Sequence, residues 1–218
     1  MTTIFTSPAF IQICAITGAL AAVLGSLIAA LPYRGKRGEP YSLLNHFISE
    51  LGEVGVSRRA WAFNGGLILC GAALLPCSIG LGLLIPGAWA KLGLVAGAVT
   101  AIGVAFVGVY PMNKLTPHVR AAMTYFRAGL VMVIFFTIAI FAQPADNTAL
   151  PRLVGLVGIP AILAYSFFLI YMRVASSSSQ NALSPLENDR PHLWLMPFSE
   201  WLIFLTTVPW FCAVALAL

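Results

Sequence analysis

A chain of 218 residues that is 60% hydrophobic and only 9% charged lies outside the ordinary soluble class, in which about 25% of residues are charged. Its net charge of +5 comes from Lys and Arg set in short loops beside apolar runs. That placement directs membrane topology and contact with anionic lipid, and excludes a nucleic-acid reading.

The first apolar run, 10–32, has no Lys or Arg in the nine residues before it and is too long for the core of a signal peptide. It is read as a retained first span. The loop that follows carries Arg34, Lys36 and Arg37, then a stretch at 41–52 that is too polar to span and too apolar for a free loop. A short interfacial or re-entrant helix suits it, with Leu43, Leu44, Phe47 and Leu51 on its apolar face. Ser42, His46 and Glu50 then follow one another at single-turn spacing.

Spans at 60–85 and 88–110 follow, each free of charge apart from Lys91, and each close to the roughly 20 apolar residues of one crossing. Ser57 is the expected cap of the second span. Gly93 and Gly97 form a GxxxG pair suited to close helix packing. The fourth span, 117–142, opens at Thr116-Pro117, a capping hydroxyl before a proline. The fifth, 150–173, leads into a Ser-rich connector at 176–191, and the sixth covers 196–217. Pro76, Pro160 and Pro209 are the expected kink sites. Cys14, Cys70, Cys77 and Cys212 all lie inside apolar runs and read as small apolar fillers. The predicted fold is therefore all-α: one polytopic domain over 1–218, a bundle of six transmembrane helices with a short helix after the first. Lys and Arg concentrate in loops one, three and five, which places those loops in the cytoplasm and both termini outside, in the plasma (inner) membrane.

The polar residues kept inside such a chain are the candidate functional groups. His46, Glu50 and His118 are the candidate catalytic set, with a His as general base and Glu50 to orient it. Arg58, Asn64, Asn113, Arg127 and Glu200 are the candidate headgroup- or substrate-binding residues. Arg127 lies about 13 Å further along its helix than His118 and on the opposite face. An unpaired Arg in hydrocarbon costs several kcal/mol, so an Arg127–Glu200 pair is expected to tie the fourth span to the sixth. Ser42 and Ser49 are candidate nucleophiles without a GxSxG context. A metal held by His46, Glu50 and His118 is a minor alternative, and no cofactor is expected. Together these residues predict one polar pocket opening on the odd-loop side.

The segments HFISELGEVGVSRRAWAFNGGLIL, VGVYPMNKLTPHVRAAMTYF and SEWLIFLTTVPWF resemble, in order and spacing over nearly the whole chain, the bacterial and archaeal membrane proteins of the domain-of-unknown-function family 998. The ISELG segment and the later histidine are also similar to a distant eukaryotic group of GPI-anchor lipid-remodelling factors and autophagy-modulator membrane proteins. The resemblance implies a six-helix membrane fold and a motif set at Ile48, Ser49, Glu50, Leu51, Gly52, Asn64, Pro111, Asn113, His118 and Glu200. It supplies no reaction. Asn113 stands where it leads one to expect an acidic residue in many relatives. The favoured reading is a non-catalytic protein that binds membrane lipids or serves as a subunit of a membrane complex. The alternatives are an intramembrane lipid hydrolase or acyltransferase, and a small-solute transporter.

Overall fold

A computed structural model describes residues 2–178 and 190–218. After a single helical turn at Thr2–Phe5, six long helices follow: α1 (Pro8–Ala30), α2 (Ala60–Leu84), α3 (Ala88–Val109), α4 (Leu115–Phe141), α5 (Gly158–Ser178) and α6 (Leu195–Leu216). A 3-10 segment at Arg152–Val157 leads directly into α5. Each of the six predicted spans is thus present as a helix long and apolar enough to cross a membrane. Their hydrogen bonds close within the helix, which is what hydrocarbon demands of a backbone. Large apolar side chains such as Leu20, Leu24, Leu69, Val95, Leu163 and Ile170 point outward. In water that surface would be a liability; in a bilayer it is the solvated face.

Helices α1 to α4 pack as consecutive neighbours, and α5 and α6 close the bundle against α4 and α1. Small residues let the backbones approach. A Cβ on Gly25 of α1 would stand 2.7 Å from the carbonyl oxygen of Ala62 and 3.2 Å from the Cα of Gly66 on α2. The GxxxG pair of α3 serves two partners: Gly93 lies against the Phe136 ring of α4, and Gly97 against Ser78 of α2. Trp210, Tyr165, Phe136 and Met132 fill the centre.

Local signals were read unevenly by the sequence. Pro76 and Pro209 lie inside α2 and α6, but Pro160 sits in the first turn of α5, where proline costs no helical hydrogen bond. Ser57 does not cap α2: Arg59 holds the cap position, and the Ser57 hydroxyl is buried without a partner. Helix α4 starts at Leu115, with Lys114 at the cap position and no side-chain cap bond, so Thr116 lies inside the helix. Most of the Ser-rich connector, 179–189, lies outside the described residues. Lys91, in the first turn of α3, reaches back to the Gly82 carbonyl at 2.6 Å and so satisfies an end of α2. All four cysteines are free.

The short helix after the first span forms, as a 3-10 helix at Ile48–Gly52. It does not reach back to Ser42. Phe47, with φ −60° and ψ 143°, is extended and separates it from a turn in which the His46 N–H bonds to the Ser42 carbonyl at 3.0 Å. The apolar residues therefore do not share one face. Leu51 is fully buried, whereas Leu43 and Leu44 are exposed.

Candidate functional site

Loop one is held over the bundle by side chains that bond to backbone. The Asn113 amide makes two bonds with Val54, accepting its N–H at 2.7 Å and donating to its carbonyl at 2.7 Å. Asn64 donates to the Gly52 carbonyl at 3.0 Å. Both amides were candidate ligand groups; here they stitch the loop to α2 and to the α3–α4 turn. From the other side, the Trp194 N–H bonds to the Leu44 carbonyl at 2.9 Å, and Asn45 donates to the Pro191 carbonyl at 3.2 Å.

Within this layer Glu50 is buried and fully engaged. Arg190 grips it with two bonds, Nη1 to Oε1 at 2.9 Å and Nη2 to Oε2 at 3.0 Å. The Phe47 N–H and the Tyr33 hydroxyl donate to the same carboxylate at 2.9 and 3.3 Å. Burial disfavours the charge on Arg190, but its bonds to Glu50 outweigh that and raise its pKa. Glu50 thus answers an arginine and does not orient His46.

His46 sits in an aromatic nest, 5.6 Å from Tyr33 and 5.3 Å from Tyr41 between ring centres. Its Nδ1 accepts the Ser42 N–H at 3.3 Å. Burial pushes its pKa down, against the pull of Glu50, so the ring is neutral and carries its proton on Nε2. That nitrogen lies 3.6 Å from Glu39 Oε1. Burial also raises the Tyr41 pKa. The Tyr41 hydroxyl receives the Trp201 indole N–H at 2.9 Å and donates to the Phe47 carbonyl at 3.0 Å.

His118 belongs to a different compartment. It lines a cavity of about 60 Å³ inside the bundle, together with Glu200, Ile48 and Ser49. Its Nδ1 lies 2.7 Å from the Tyr110 carbonyl. A carbonyl only accepts, so Nδ1 carries the proton and Nε2 is left as a bare acceptor. Glu200, half-buried, accepts the Ile48 N–H on Oε2 at 3.3 Å. A second cavity, of about 70 Å³, shares Leu67, Val104, Tyr125 and Phe204 with the first. It continues along the bundle past Cys70, Thr100 and Met132 to Phe211. The step from Glu200 to Phe211 is about 16 Å of helical rise. The two cavities thus adjoin: the imidazole and carboxyl stand in the first, and the second carries only hydroxyl and thiol groups, such as Thr100, Thr207 and Cys70, among apolar side chains.

The expected Arg127–Glu200 pair is not formed. Arg127 is exposed on the outer side of α4, while Glu200 faces inward. Arg58 is exposed as well. The single predicted pocket is therefore two: a loop layer with His46 and Glu50, and a bundle cavity with His118 and Glu200. The sequence reading missed Arg190 as the partner of Glu50, and Tyr33, Tyr41 and Trp201 as the frame around His46. Among the described residues no three His, Cys, Asp or Glu side chains come together as a metal site.

The family described as "Protein of unknown function (DUF998)" matches residues 15–217. The chain belongs to the DUF998 family. No curated protein and no solved structure matches it. This DUF998 chain is a multi-pass membrane protein by its six apolar helices, and its chemistry has to be argued from its own side chains.

Proposed function

We propose that this protein is a non-catalytic lipid binder of the membrane, and that its ligand occupies the two joined cavities inside the bundle. The observation that carries the reading is their order: His118 and Glu200 stand in the loop-side cavity, and past the shared residues Leu67, Val104, Tyr125 and Phe204 the second cavity carries only hydroxyl and thiol groups among apolar side chains. That is the polarity of an amphiphile lying along the bundle axis. Ligand sites are typically apolar clefts with a few placed polar groups, and ionisable residues inside a membrane bundle mark function more often than packing. The loop layer above, clamped by Asn64, Asn113 and the Glu50–Arg190 pair, serves as the roof of the site.

The test is native mass spectrometry of the protein released from nanodiscs. The unaltered chain is expected to carry one retained amphiphile. Val104→Trp, which fills the junction of the two cavities, and Thr100→Leu, which narrows the apolar one, are expected to lose it while keeping a cooperative thermal transition. Equal retention in all three proteins would contradict the reading.

One observation favours a second reading, an intramembrane lipid hydrolase or acyltransferase. The bare Nε2 of His118 is a base set in the same cavity as the Ser49 hydroxyl. Lipidomics of a deletion strain complemented with His118→Asn separates the two. A lipid change that only the native chain reverses supports catalysis, and unchanged lipids oppose it.

We place the protein in the plasma membrane with both termini outside, on the excess of Lys and Arg in loops one, three and five.

A further inference from the structure

The loop layer holds a recess of its own, of about 280 Å³, whose lining shares no residue with the two bundle cavities. That exceeds the ~150 Å³ that admits one benzene-sized group. Two polar atoms of its lining residues are buried and, among the described residues, make no hydrogen bond. They are of opposite kind. His46 is only 2% exposed. Its Nδ1 accepts the Ser42 N–H, so its Nε2 carries the proton and is an unused donor. Glu39 Oε1 stands 3.6 Å from that nitrogen, too far for a hydrogen bond. The Asn45 amide nitrogen donates to the Pro191 carbonyl, which leaves its Oδ1 as an unused acceptor.

Charge narrows what can satisfy both. The guanidiniums of Arg37 and Arg190 and the Glu39 carboxylate line the recess, and Arg190 also grips Glu50. Two cations and two carboxylates balance, so the surroundings call for a ligand with both charges and no net one. An unused donor beside guanidiniums asks for an anionic oxygen, and an unused acceptor near a carboxylate asks for a charged N–H group. The rim indicates a lipid. Ser42 and Asn45 line the recess, and Leu43 and Leu44 between them are exposed. Leu193 and Leu195, either side of the Trp194 that bonds to Leu44, are exposed as well. Leucines of that kind bed in the boundary between headgroups and acyl chains.

We propose that this recess binds the head of an aminophospholipid, a phosphate diester joined to a primary ammonium, of the phosphatidylethanolamine class. A phosphate oxygen accepts from His46 Nε2 beside the guanidiniums, and the ammonium donates to Glu39 Oε1 and Asn45 Oδ1. A choline head has no N–H for those acceptors, and a glycerol head brings a net negative charge with no ammonium to meet Glu39. Glu39 and Arg190 keep about a third of their side-chain surface exposed, 31% and 30%, so the lipid exchanges freely with the bilayer. The site stands whether or not the bundle cavities hold a ligand.

Native mass spectrometry of the delipidated full chain in detergent tests it, by titration with dioleoyl phosphatidylethanolamine, phosphatidylcholine or phosphatidylglycerol. For the first lipid bound, the ethanolamine lipid is expected to be roughly tenfold tighter than the other two. Glu39→Gln keeps an acceptor for the Arg37 N–H but removes the charge. It is expected to bring the ethanolamine lipid within about twofold of the choline lipid. His46→Phe keeps a ring between Tyr33 and Tyr41 but removes the Nε2 proton, and is expected to weaken both lipids roughly fivefold. Equal affinity for the three lipids on the native chain, or an ethanolamine preference that survives Glu39→Gln, would overturn the proposal. So would O-phosphoethanolamine that binds as tightly as the whole lipid, because the recess would then serve a soluble solute. Inorganic phosphate, without the ammonium, is expected not to compete. If His46→Phe does not fold, the lipid order and Glu39→Gln decide.

Discussion

Arg190 and Glu50, 140 residues apart in sequence, meet in a two-bonded ion pair that fastens the segment before α6 to the first loop. The carboxylate is almost fully covered, its side chain 5% exposed, while Arg190 is 30% exposed. Removing the arginine leaves a buried charge, so Arg190→Met is expected to destabilise the protein by about 2–4 kcal/mol. Arg190→Lys keeps the charge without the fork and should fall between. Unfolding free energies measured by steric trapping in bicelles check the order.

Arg127 and Glu200 carry the opposite expectation. One is exposed on the outer side of α4 and the other lines the inner cavity. A double-mutant cycle with Arg127→Leu and Glu200→Gln should show a coupling energy below about 0.5 kcal/mol, the scatter of independent sites. A coupling above about 1 kcal/mol would revive the tether.

His46 makes stability sensitive to acid. Its pKa in the folded protein lies below the ordinary 6.5 because burial disfavours the imidazolium, despite Glu39 and Glu50 nearby and with Arg190 acting in the same direction as burial. The unfolded chain therefore takes up the proton first as pH falls. The stability present above about 6.5 is lost progressively as pH drops through the folded value. Thermal melts between pH 7.5 and 5 should shift downward in the native chain and less in His46→Asn.

Asn113 holds Val54 through both of its amide atoms. Asn113→Ala is expected to cost about 1–2 kcal/mol and to speed proteolysis around Gly55, where the chain turns with φ +90°. Hydrogen exchange at Val54 checks it directly.

How much of this was legible in the sequence depends on the range of the physics involved. The six helices were, because charge-free runs of spanning length leave an apolar chain no other option. The position of each polar residue along its helix was also legible from its distance to the helix ends. What depth does not give is azimuth. Arg127 and Glu200 face different ways, one exposed and one lining the inner cavity, so matching them by expected depth alone paired groups that do not meet. The partner of Glu50 was invisible for a related reason: Arg190 sits at the end of a polar connector with no local signal that it folds back onto loop one. Asn64 and Asn113 were recognised as unusual, but an amide that serves backbone and an amide that serves a ligand look alike in sequence.

The central claim is that an amphiphile lies with its head at His118 and Glu200 and its tail in the second cavity. A single-chain amphiphile carrying a diazirine at its tail end, bound in nanodiscs, irradiated and mapped by peptide sequencing, tests it most directly. The account predicts adducts on the inner wall, at Met132, Cys77 or Phe211, that excess unlabelled probe abolishes. Adducts confined to lipid-facing positions such as Leu69, Val95 or Leu163, insensitive to competitor, would contradict it.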